Sequence, residues 1–393
     1  MNRCFGLGWA FLLGGVLLSA CGGDESGGAA DDDANSGAGG SSGSGGNATG
    51  GTDPSGGVGG SGGSSGGSGG SATGGTAGSS GAPPNTDFPT GFGPAEPLVT
   101  ELTFPVRLGI REGYLYFTEM GLEDGTMSRI ARRTPSGEVE TLFAGNKIAA
   151  MHLDAEELFF VERGTSTVYR VNYTTLEREV FITTTMTVAD VETEGDRVWI
   201  TEYTSTPSAM TRVTVYDRSG TLLATPVPET PTRLFAYMAV GAGNVYISEV
   251  GVGALFKVPP SGSGGVTVSD VRPNHLAVDD MFVYFTSQTD GRVLRQLHTL
   301  DERPEQLASG QTMPFAVAVD AGGAYWTNGG PDCESGTGGS VYGVALAAGT
   351  PVPVATGERC PQAIITDGEY VYWTREAVEA PADDSIVRAR KMF

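Results

Sequence analysis

Six polar side chains in the middle of the chain have the types that cation binding or acid–base chemistry requires. They stand six to eight residues ahead of successive aromatic segments, and they are Arg107, His152, Asp190, Glu192, Tyr237 and His275. Carboxylates and imidazoles that face one channel can share a divalent cation such as calcium or magnesium, or can act as general acid and base. The alternative is a structural role, because ion pairs such as Arg107 with Asp190 also fill such positions.

A second set of acids ends four consecutive aromatic segments. These acids are Glu119, Glu162, Glu202 and Glu249, and the later segments have Ser287, Asn328 and Arg375 at the same point. If the segments end at one mouth of a ring, four carboxylates would face a cationic ligand or calcium there. The alternative is that each glutamate bonds a neighbouring loop or an arginine on the next strand, such as Arg129 or Arg170.

The elements that must position both sets are seven copies of one strand–turn–strand pattern. The aromatic segments that define the copies are Tyr114–Thr118, Leu158–Val161, Val198–Thr201, Val245–Ser248, Val283–Thr286, Ala324–Thr327 and Val371–Thr374. A repeat of about 40–45 residues that contains only strand and turn signals is typical of a β-propeller blade. The sequence therefore predicts an all-β fold, a seven-bladed propeller of four-stranded antiparallel blades.

The two ends of the repeat region predict how the ring closes. The last copy has a third strand, Ser385–Arg390, and then the chain ends at Phe393 without a fourth strand. An additional strand, Leu98–Phe104, precedes the first copy. Placing this strand on the edge of the last blade would close the ring and cover an edge that otherwise pairs with other chains.

Acids before five of the aromatic segments predict tight turns between first and second strands. They are Asp154, Glu194, Asp279, Asp320 and Asp367. A short acidic side chain at such a turn can accept hydrogen bonds from its own backbone, so we assign these residues a structural role.

The N-terminus predicts export and anchoring. Residues 1–20 combine one positive charge, a short apolar run and small residues, as in a secretory signal peptide. Leu18–Cys21 resembles the lipobox of bacterial lipoproteins, in which the thiol of the cysteine, here Cys21, carries the lipid. The resemblance implies a membrane-anchored protein of the bacterial cell envelope, with the outer membrane favoured by Gly22. Residues 21–93 are then a disordered Gly/Ser-rich linker, and residues 94–393 are the propeller.

Charge and cysteine content indicate which partners and which cysteine oxidation state to expect. The net charge of −22 argues against a nucleic-acid partner, which requires a basic face. Cys333 and Cys360 are the two cysteines of the propeller region, and export to an oxidising compartment predicts a disulfide between them. A metal site is the weaker interpretation, because no histidine or third cysteine lies near either residue in the sequence.

Short motifs in the repeats resemble known propeller families. Tyr325–Asn328 and Tyr372–Arg375 are similar to the YWTD blades of lipoprotein-receptor propellers. Segments such as Phe117–Glu119 and Ile200–Glu202 resemble the repeats of the virginiamycin B lyase family and the wider NHL-like group. The resemblance covers about residues 95–393. It implies a propeller, with seven blades as in the lyases, and implies little about activity.

The sequence contains no Ser-His-Asp order, phosphate loop, zinc spacing or dinucleotide fingerprint. The function predicted first is therefore a lipid-anchored, monomeric binding protein that presents one propeller face to a protein or glycan partner. An assembly scaffold for an outer-membrane machine fits the same features. The alternative is a metal-dependent lyase or lactone hydrolase with its site at the axis, built from His152, Asp190, Glu192 and His275.

Overall fold

The structure is a computed structural model, and every regular element it describes is a β-strand. The described residues are 87–121, 128–145, 148–204, 209–231, 235–249, 253–259, 261, 265–268, 270–330, 338–347, 349–376 and 384–393. The predicted signal peptide, Cys21, the Gly/Ser-rich linker up to residue 86 and Cys333 lie outside them. Within the described ranges there is no helix with the length and apolar character needed to span a bilayer.

The strands form seven antiparallel sheets, and in six of them neighbouring strands follow one another in the sequence. Two short strands precede the repeats, namely β1 (Gly91–Phe92) and β2 (Glu96–Leu102). Blades 1 to 4 consist of β3 (Pro105–Arg111), β4 (Tyr114–Glu119), β5 (Ser128–Arg133), β6 (Val139–Gly145); β7 (Ile148–Leu153), β8 (Glu157–Glu162), β9 (Thr167–Asn172), β10 (Arg178–Thr183); β11 (Thr187–Glu194), β12 (Arg197–Thr204), β13 (Met210–Asp217), β14 (Leu222–Pro231); β15 (Phe235–Gly241), β16 (Asn244–Glu249), β17 (Ala254–Val258) and β18 (Val266–Val268).

Blades 5 to 7 follow the same plan. Their strands are β19 (Leu276–Val278), β20 (Phe282–Ser287), β21 (Arg292–Leu297), β22 (Glu305–Ala308); β23 (Pro314–Val319), β24 (Gly323–Asn328), β25 (Gly339–Ala345), β26 (Val352–Glu358); β27 (Ile364–Thr366), β28 (Tyr370–Arg375) and β29 (Asp384–Met392). The predicted seven-bladed propeller is confirmed.

The N-terminal strand closes the ring, as predicted. β29 pairs with β28 on one side and with β2 on the other, so β2 is the fourth strand of blade 7. Within this pairing Val99 lies opposite Ile386, and Leu102 lies opposite Asp384. Val99 and Leu102 are both buried, with Leu102 only 1% exposed. Closure therefore joins residues near the two ends of the propeller region in one sheet.

The closing strand also reproduces a contact found in other blades. An aromatic residue at the start of the second strand lies under an arginine of the third strand, and a glutamate of the fourth strand pairs with that arginine. The sets are Tyr114, Arg132 and Glu140 in blade 1; Phe282, Arg295 and Glu305 in blade 5; and Tyr370, Arg388 and Glu96 in blade 7. Glu96 thus takes the place of a regular fourth-strand glutamate, although it comes from before blade 1.

Residues 87–93, which the sequence analysis places in the linker, also pack against the ring. Phe88 stacks on Tyr325 with ring centroids 6.1 Å apart, and Phe92 meets the same ring edge-on. A Cβ atom at Gly323 would lie 2.7 Å from the Phe88 ring, so glycine is needed there for the close approach. The packed part of the chain therefore begins before residue 94.

Aromatic residues of the second strands fill the spaces between blades. Successive side chains of a strand point to opposite faces. Tyr325 accordingly belongs to a cluster that includes Trp373 of blade 7, whereas Trp326 belongs to one that includes Tyr284 of blade 5. Each of these four side chains is fully buried. The aromatic pairs that mark the repeat in the sequence are thus the contacts that hold adjacent blades together.

Four of the five predicted turn acids cap their own turns. The Oδ1 atoms of Asp154, Asp279, Asp320 and Asp367 each accept hydrogen bonds from the backbone N–H groups two and three residues later. Glu194 is different, because its longer side chain reaches the next blade and accepts the N–H of Gly243 at 2.9 Å. The local-cap prediction is wrong for Glu194, which links blades 3 and 4 instead.

Hydroxyl groups at the last residue of the aromatic segments join neighbouring blades. Thr327 Oγ1 accepts the Ala316 N–H of its own blade at 3.1 Å and donates to the Gln362 carbonyl of blade 7 at 2.7 Å. In blade 5, Thr286 Oγ1 donates in the same way to the Phe315 carbonyl of blade 6, at 2.7 Å. The hydroxyl at this position therefore hydrogen-bonds backbone groups at the first strands of its own blade and the next.

We expect Thr327→Val to lower the free energy of unfolding by about 1–3 kcal/mol. Valine keeps the shape of threonine but leaves the buried Ala316 N–H and Gln362 carbonyl without the hydroxyl. Thr118→Val in blade 1 is the matched control, because Thr118 Oγ1 is buried without a hydrogen-bond partner among the described residues. Urea unfolding of both variants tests the difference, and equal losses of stability would contradict the assigned role of the hydroxyl.

Candidate axial binding site

The first strand of each blade places one side chain at the same level of the ring. Irregular pairing between first and second strands occurs just before Arg107, Asp190 and Tyr237, as well as before Ala150 in blade 2. Such bulges redirect a side chain without ending the strand. Arg107, Asp190 and Tyr237 then lie opposite Thr118, Thr201 and Ser248 in their respective blades. The equivalence inferred from sequence spacing holds for these three blades.

Contacts between blades that are not neighbours place these side chains at the axis. Arg107 belongs to blade 1, and its Nη2 lies 3.9 Å from Oδ1 of Asp190 in blade 3. The Arg107 guanidinium also lies 5.8 Å from the ring centre of Tyr237 in blade 4. Side chains of non-adjacent blades meet in this way only across the central channel.

A fourth residue extends this group to blade 5. The rings of Tyr237 and His275 lie 5.1 Å apart between centroids. His275 Nδ1 also faces the Val317 N–H of blade 6 at 3.4 Å. Arg107, Asp190, Tyr237 and His275 therefore form one connected group, which we call the axial cluster. The alanines at the corresponding points of blades 2, 6 and 7, Ala150, Ala316 and Ala363, leave space beside it.

The other two predicted residues form a separate pair. His152 Nδ1 lies 2.8 Å from Glu192 Oε2, and its Nε2 lies 2.9 Å from the hydroxyl of Thr193. In the strand register His152 lies opposite Phe159 and Glu192 lies opposite Trp199. Each is two residues further along its first strand than the position that forms the axial cluster. The pair thus links blades 2 and 3 beside the cluster. The contribution of Thr193 was not predicted, because nothing in its local sequence separates it from other strand threonines.

Burial controls the protonation of these groups. It raises the pKa of Asp190 to about 6, although the positive charge of Arg107 opposes the rise. Burial together with Arg107 lowers the pKa of His275 to about 3, so this imidazole is neutral at physiological pH. Burial would also lower the pKa of His152, but the Glu192 carboxylate outweighs it and the pKa is raised. The cluster therefore combines a fixed cation, a carboxyl group that titrates near neutrality and a neutral imidazole.

The glutamates at the ends of the second strands occupy equivalent positions, but arginines engage three of them. Arg129 bonds Glu119. Arg212 bonds both oxygens of Glu202, at 2.7 and 2.8 Å. Arg178 lies 3.7 Å from Glu162. Glu249, the fourth, is 3% exposed. The structure favours the arginine-paired interpretation of this set over an open ring of carboxylates.

One named partner in that interpretation was wrong. Arg170 pairs with Glu157 and Glu179 on the neighbouring strands, because it faces the middle of its blade rather than the mouth. Arg375 at the mouth of blade 7 is held by Glu358 of blade 6, which also accepts the Trp373 indole N–H at 2.7 Å. The last mouth position thus joins two blades.

The structure does not assemble the expected metal ligands within its described part. No three His, Cys, Asp or Glu side chains are grouped there so that they could hold a metal ion. His298, to which the sequence assigned no role, joins blades 4 and 5 through the Tyr246 hydroxyl at 2.7 Å. Cys360 is 4% exposed, and its proposed partner Cys333 lies outside the described residues, so their disulfide stays a prediction.

Comparison with known proteins adds to this geometry. No protein-family profile matches the sequence, and no curated protein matches it either. A catalytically inactive histidine-to-alanine variant of virginiamycin B lyase from Staphylococcus aureus, solved with quinupristin, is structurally similar. The TM-score is 0.59 at 14% sequence identity, over 76% of this chain and 98% of the lyase. This chain is a seven-bladed propeller with the virginiamycin B lyase fold.

Two further structures share the fold with comparable structural similarity and sequence identity. A streptogramin B lyase matches with a TM-score of 0.57 at 12% identity, covering 76% of this chain and 97% of the lyase. The Pyrococcus horikoshii acylaminoacyl peptidase matches with a TM-score of 0.55 at 11% identity, over 75% of this chain and 53% of the peptidase. At such low identity the likeness establishes the lyase-type fold of this chain and leaves its activity open.

Proposed function

We propose that this protein is a lipid-anchored, monomeric binding protein of the bacterial cell envelope, with the outer membrane favoured. The end of the ring where the second strands finish presents the axial cluster to a protein or glycan partner. Cys21 carries the lipid, and the following Gly/Ser-rich linker gives the propeller its reach.

The observation that carries the proposal is the axial cluster itself. Charges of both signs, a phenol and a neutral imidazole from four blades meet where the other three blades have alanine. The long distance of 3.9 Å between Arg107 and Asp190 leaves donors of the guanidinium for a ligand. These groups lie on a closed ring of strands, which supports recognition by a preorganised surface.

Site-specific photo-crosslinking in intact cells tests which end of the ring is used. A photoreactive residue in place of exposed Thr289, just after β20, samples the proposed binding end. The same residue in place of Met281, 60% exposed just before β20, samples the opposite end and is the matched control. We expect a discrete adduct from position 289 alone, reduced about tenfold by Asp190→Asn. Adducts from position 281 only would contradict the proposal.

Anchoring has a separate test. We expect Cys21→Ser to move the protein from the membrane fraction to the soluble fraction, because the acylated thiol is lost. Cell fractionation and metabolic labelling with a fatty acid measure the two effects, with Cys4→Ser as a matched control. Unchanged labelling of the Cys21→Ser variant would show that the lipid is attached elsewhere or is absent.

The protonation states of Asp190 and His275 favour a second candidate, acid–base chemistry such as that of a lyase or lactone hydrolase. A carboxyl group with a pKa of about 6 can exchange protons near neutral pH. Incubation with quinupristin, the compound bound in the similar lyase structure, tests this candidate by chromatography of the products. Conversion that Asp190→Asn abolishes would favour catalysis over binding, and an intact compound would remove this substrate from consideration.

A further inference from the structure

A cavity lies between blades 5 and 6, and none of its lining residues belongs to the axial cluster. It has a volume of about 440 Å³, which is within the range of roughly 300–1,000 Å³ typical of ligand sites. Its walls come from β22, from the segment that follows β22 and from the second and third strands of blade 6. We call it the inter-blade cavity.

The lining of the inter-blade cavity is polar but uncharged. The polar residues that contribute to it are Gln306, Ser309, Gln311, Thr312, Asn328, Ser340 and Tyr342. No Asp, Glu, Lys, Arg or His is among its described lining residues, although the chain has 46 acids and 24 basic Lys and Arg residues. A ligand with a net charge would find no counter-charge on these walls, so the surface fits a neutral ligand with many hydrogen-bonding groups.

The polar groups are held in place before any ligand binds. Gln311 Oε1 accepts the Trp326 indole N–H and the Asn328 amide, each at 2.9 Å. Gln311 Nε2 donates to the Ser309 carbonyl at 3.1 Å, and Asn328 Nδ2 also donates to Ser340 Oγ at 3.2 Å. Because these amides are already fixed, they lose little conformational entropy when a ligand binds, and this raises the affinity for a ligand that makes only neutral hydrogen bonds.

Two features identify the kind of ligand. Asn328 is 4% exposed, and its Oδ1 has no hydrogen-bond partner among the described residues, so one buried acceptor beside the cavity lacks a donor. Tyr342 is half-buried and stacks on Trp326 with a ring-centroid distance of 6.1 Å, which fixes an aromatic ring in the cavity wall. Hydroxyl donors together with an apolar face that packs on an aromatic ring are features of a sugar.

We propose that the inter-blade cavity is a binding site for a neutral carbohydrate. Amide and hydroxyl side chains bond the sugar hydroxyls, and the Tyr342 ring packs against the apolar face of a sugar ring. This site shares no lining residue with the axial cluster, although Asn328 at the end of β24 places it at the same end of the ring.

Saturation-transfer NMR with the whole chain carrying Cys21→Ser tests the proposal. The probes are maltose, cellobiose and N,N′-diacetylchitobiose as neutral sugars, digalacturonate as an acidic sugar, and the peptide Gly-Ser-Gly-Ser-Gly. We expect transfer to at least one neutral disaccharide and none to digalacturonate. Transfer to the acidic sugar alone, to the peptide alone or to no probe would overturn the carbohydrate assignment.

Two lining residues locate the binding site. Gln306 is exposed on β22, so Gln306→Ala can be made without disturbing the core, and Tyr342→Phe removes only the hydroxyl. We expect the dissociation constant to rise about tenfold in Gln306→Ala and severalfold in Tyr342→Phe, with an unchanged melting midpoint for both. Asp190→Asn should leave sugar binding intact, which separates this site from the axial one. Unchanged sugar affinity in both cavity variants would place the sugar elsewhere and overturn the proposal.

Discussion

A chain that begins at residue 105 is expected to aggregate or to lose its cooperative unfolding transition, whereas a chain that begins at residue 87 should unfold cooperatively. The deletion removes β2, and with it the buried Val99 and Leu102, and it uncovers Ile386 and Val387 of β29, which are both fully buried in the closed ring. Truncating one buried leucine costs about 2–5 kcal/mol, and a whole domain has only about 5–15 kcal/mol of stability. An exposed edge of β29 would also pair with other chains.

A complementation experiment separates strand closure from general damage. A synthetic peptide of residues 87–104 is added to the chain that begins at residue 105, and thermal unfolding is followed by circular dichroism. We expect the peptide to restore a cooperative transition, because it supplies β2, the Phe88 and Phe92 contacts with Tyr325, and the Glu96 partner of Arg388. A peptide with Val99→Asp and Leu102→Asp is the control. A truncated chain that melts like the reference without any peptide would contradict this account of closure.

The repeat spacing was sufficient to predict the fold. Strand register depends on the alternation of apolar and polar residues, and the aromatic segments show this alternation clearly. This was enough to place β2 beside β29, although nearly 300 residues separate them. The contact between Phe88 and Tyr325 could not be predicted in this way, because residues 87–93 follow a Gly/Ser-rich segment and show no strand alternation of their own.

The axial site was predictable in composition and only partly in arrangement. Equal offsets in the repeat selected Arg107, Asp190, Tyr237 and His275, and the ring geometry brings these residues together. The pairing of His152 with Glu192 depends on the neighbouring blades and on the level along the channel. Sequence spacing also gave Arg170 the wrong partner, because the direction of a third-strand side chain depends on the register of its blade. Contacts between blades could not be predicted from the sequence of a single repeat.

The stability of the ring is expected to fall as the pH rises from about 4.5 to about 8, and Glu376 is the main cause. This residue follows β28, and burial together with the negative charge of Asp384 raises its pKa from the ordinary value of 4.5 to about 8. Asp384 in turn accepts the Phe104 N–H at 2.7 Å, at the end of the closing strand. The folded state therefore binds the Glu376 proton more tightly than the unfolded state does.

The sign of the effect follows from proton linkage. Below pH 4.5 both states hold the proton and folding gains its full stability, whereas above pH 8 the folded state must lose it and bury a second negative charge beside Asp384. Each unit of pKa difference corresponds to about 1.4 kcal/mol, so the loss across this window is on the order of a few kcal/mol. Asp190, with a pKa of about 6, adds a smaller fall in the same direction between about pH 4 and 6.

Glu376→Gln isolates the contribution of this carboxyl group. Glutamine keeps the shape and stays neutral, so we expect the variant to be more stable than the parent at pH 9 and to show a much flatter stability profile between pH 6 and 8. Urea unfolding at pH 5, 6.5, 8 and 9 measures this difference, with Glu369→Gln at an exposed position as the matched control. Parallel profiles for the parent and Glu376→Gln would show that Glu376 is ionised in the folded ring. A flattened profile would instead link the protonation of one buried carboxyl group to the strand that closes the propeller.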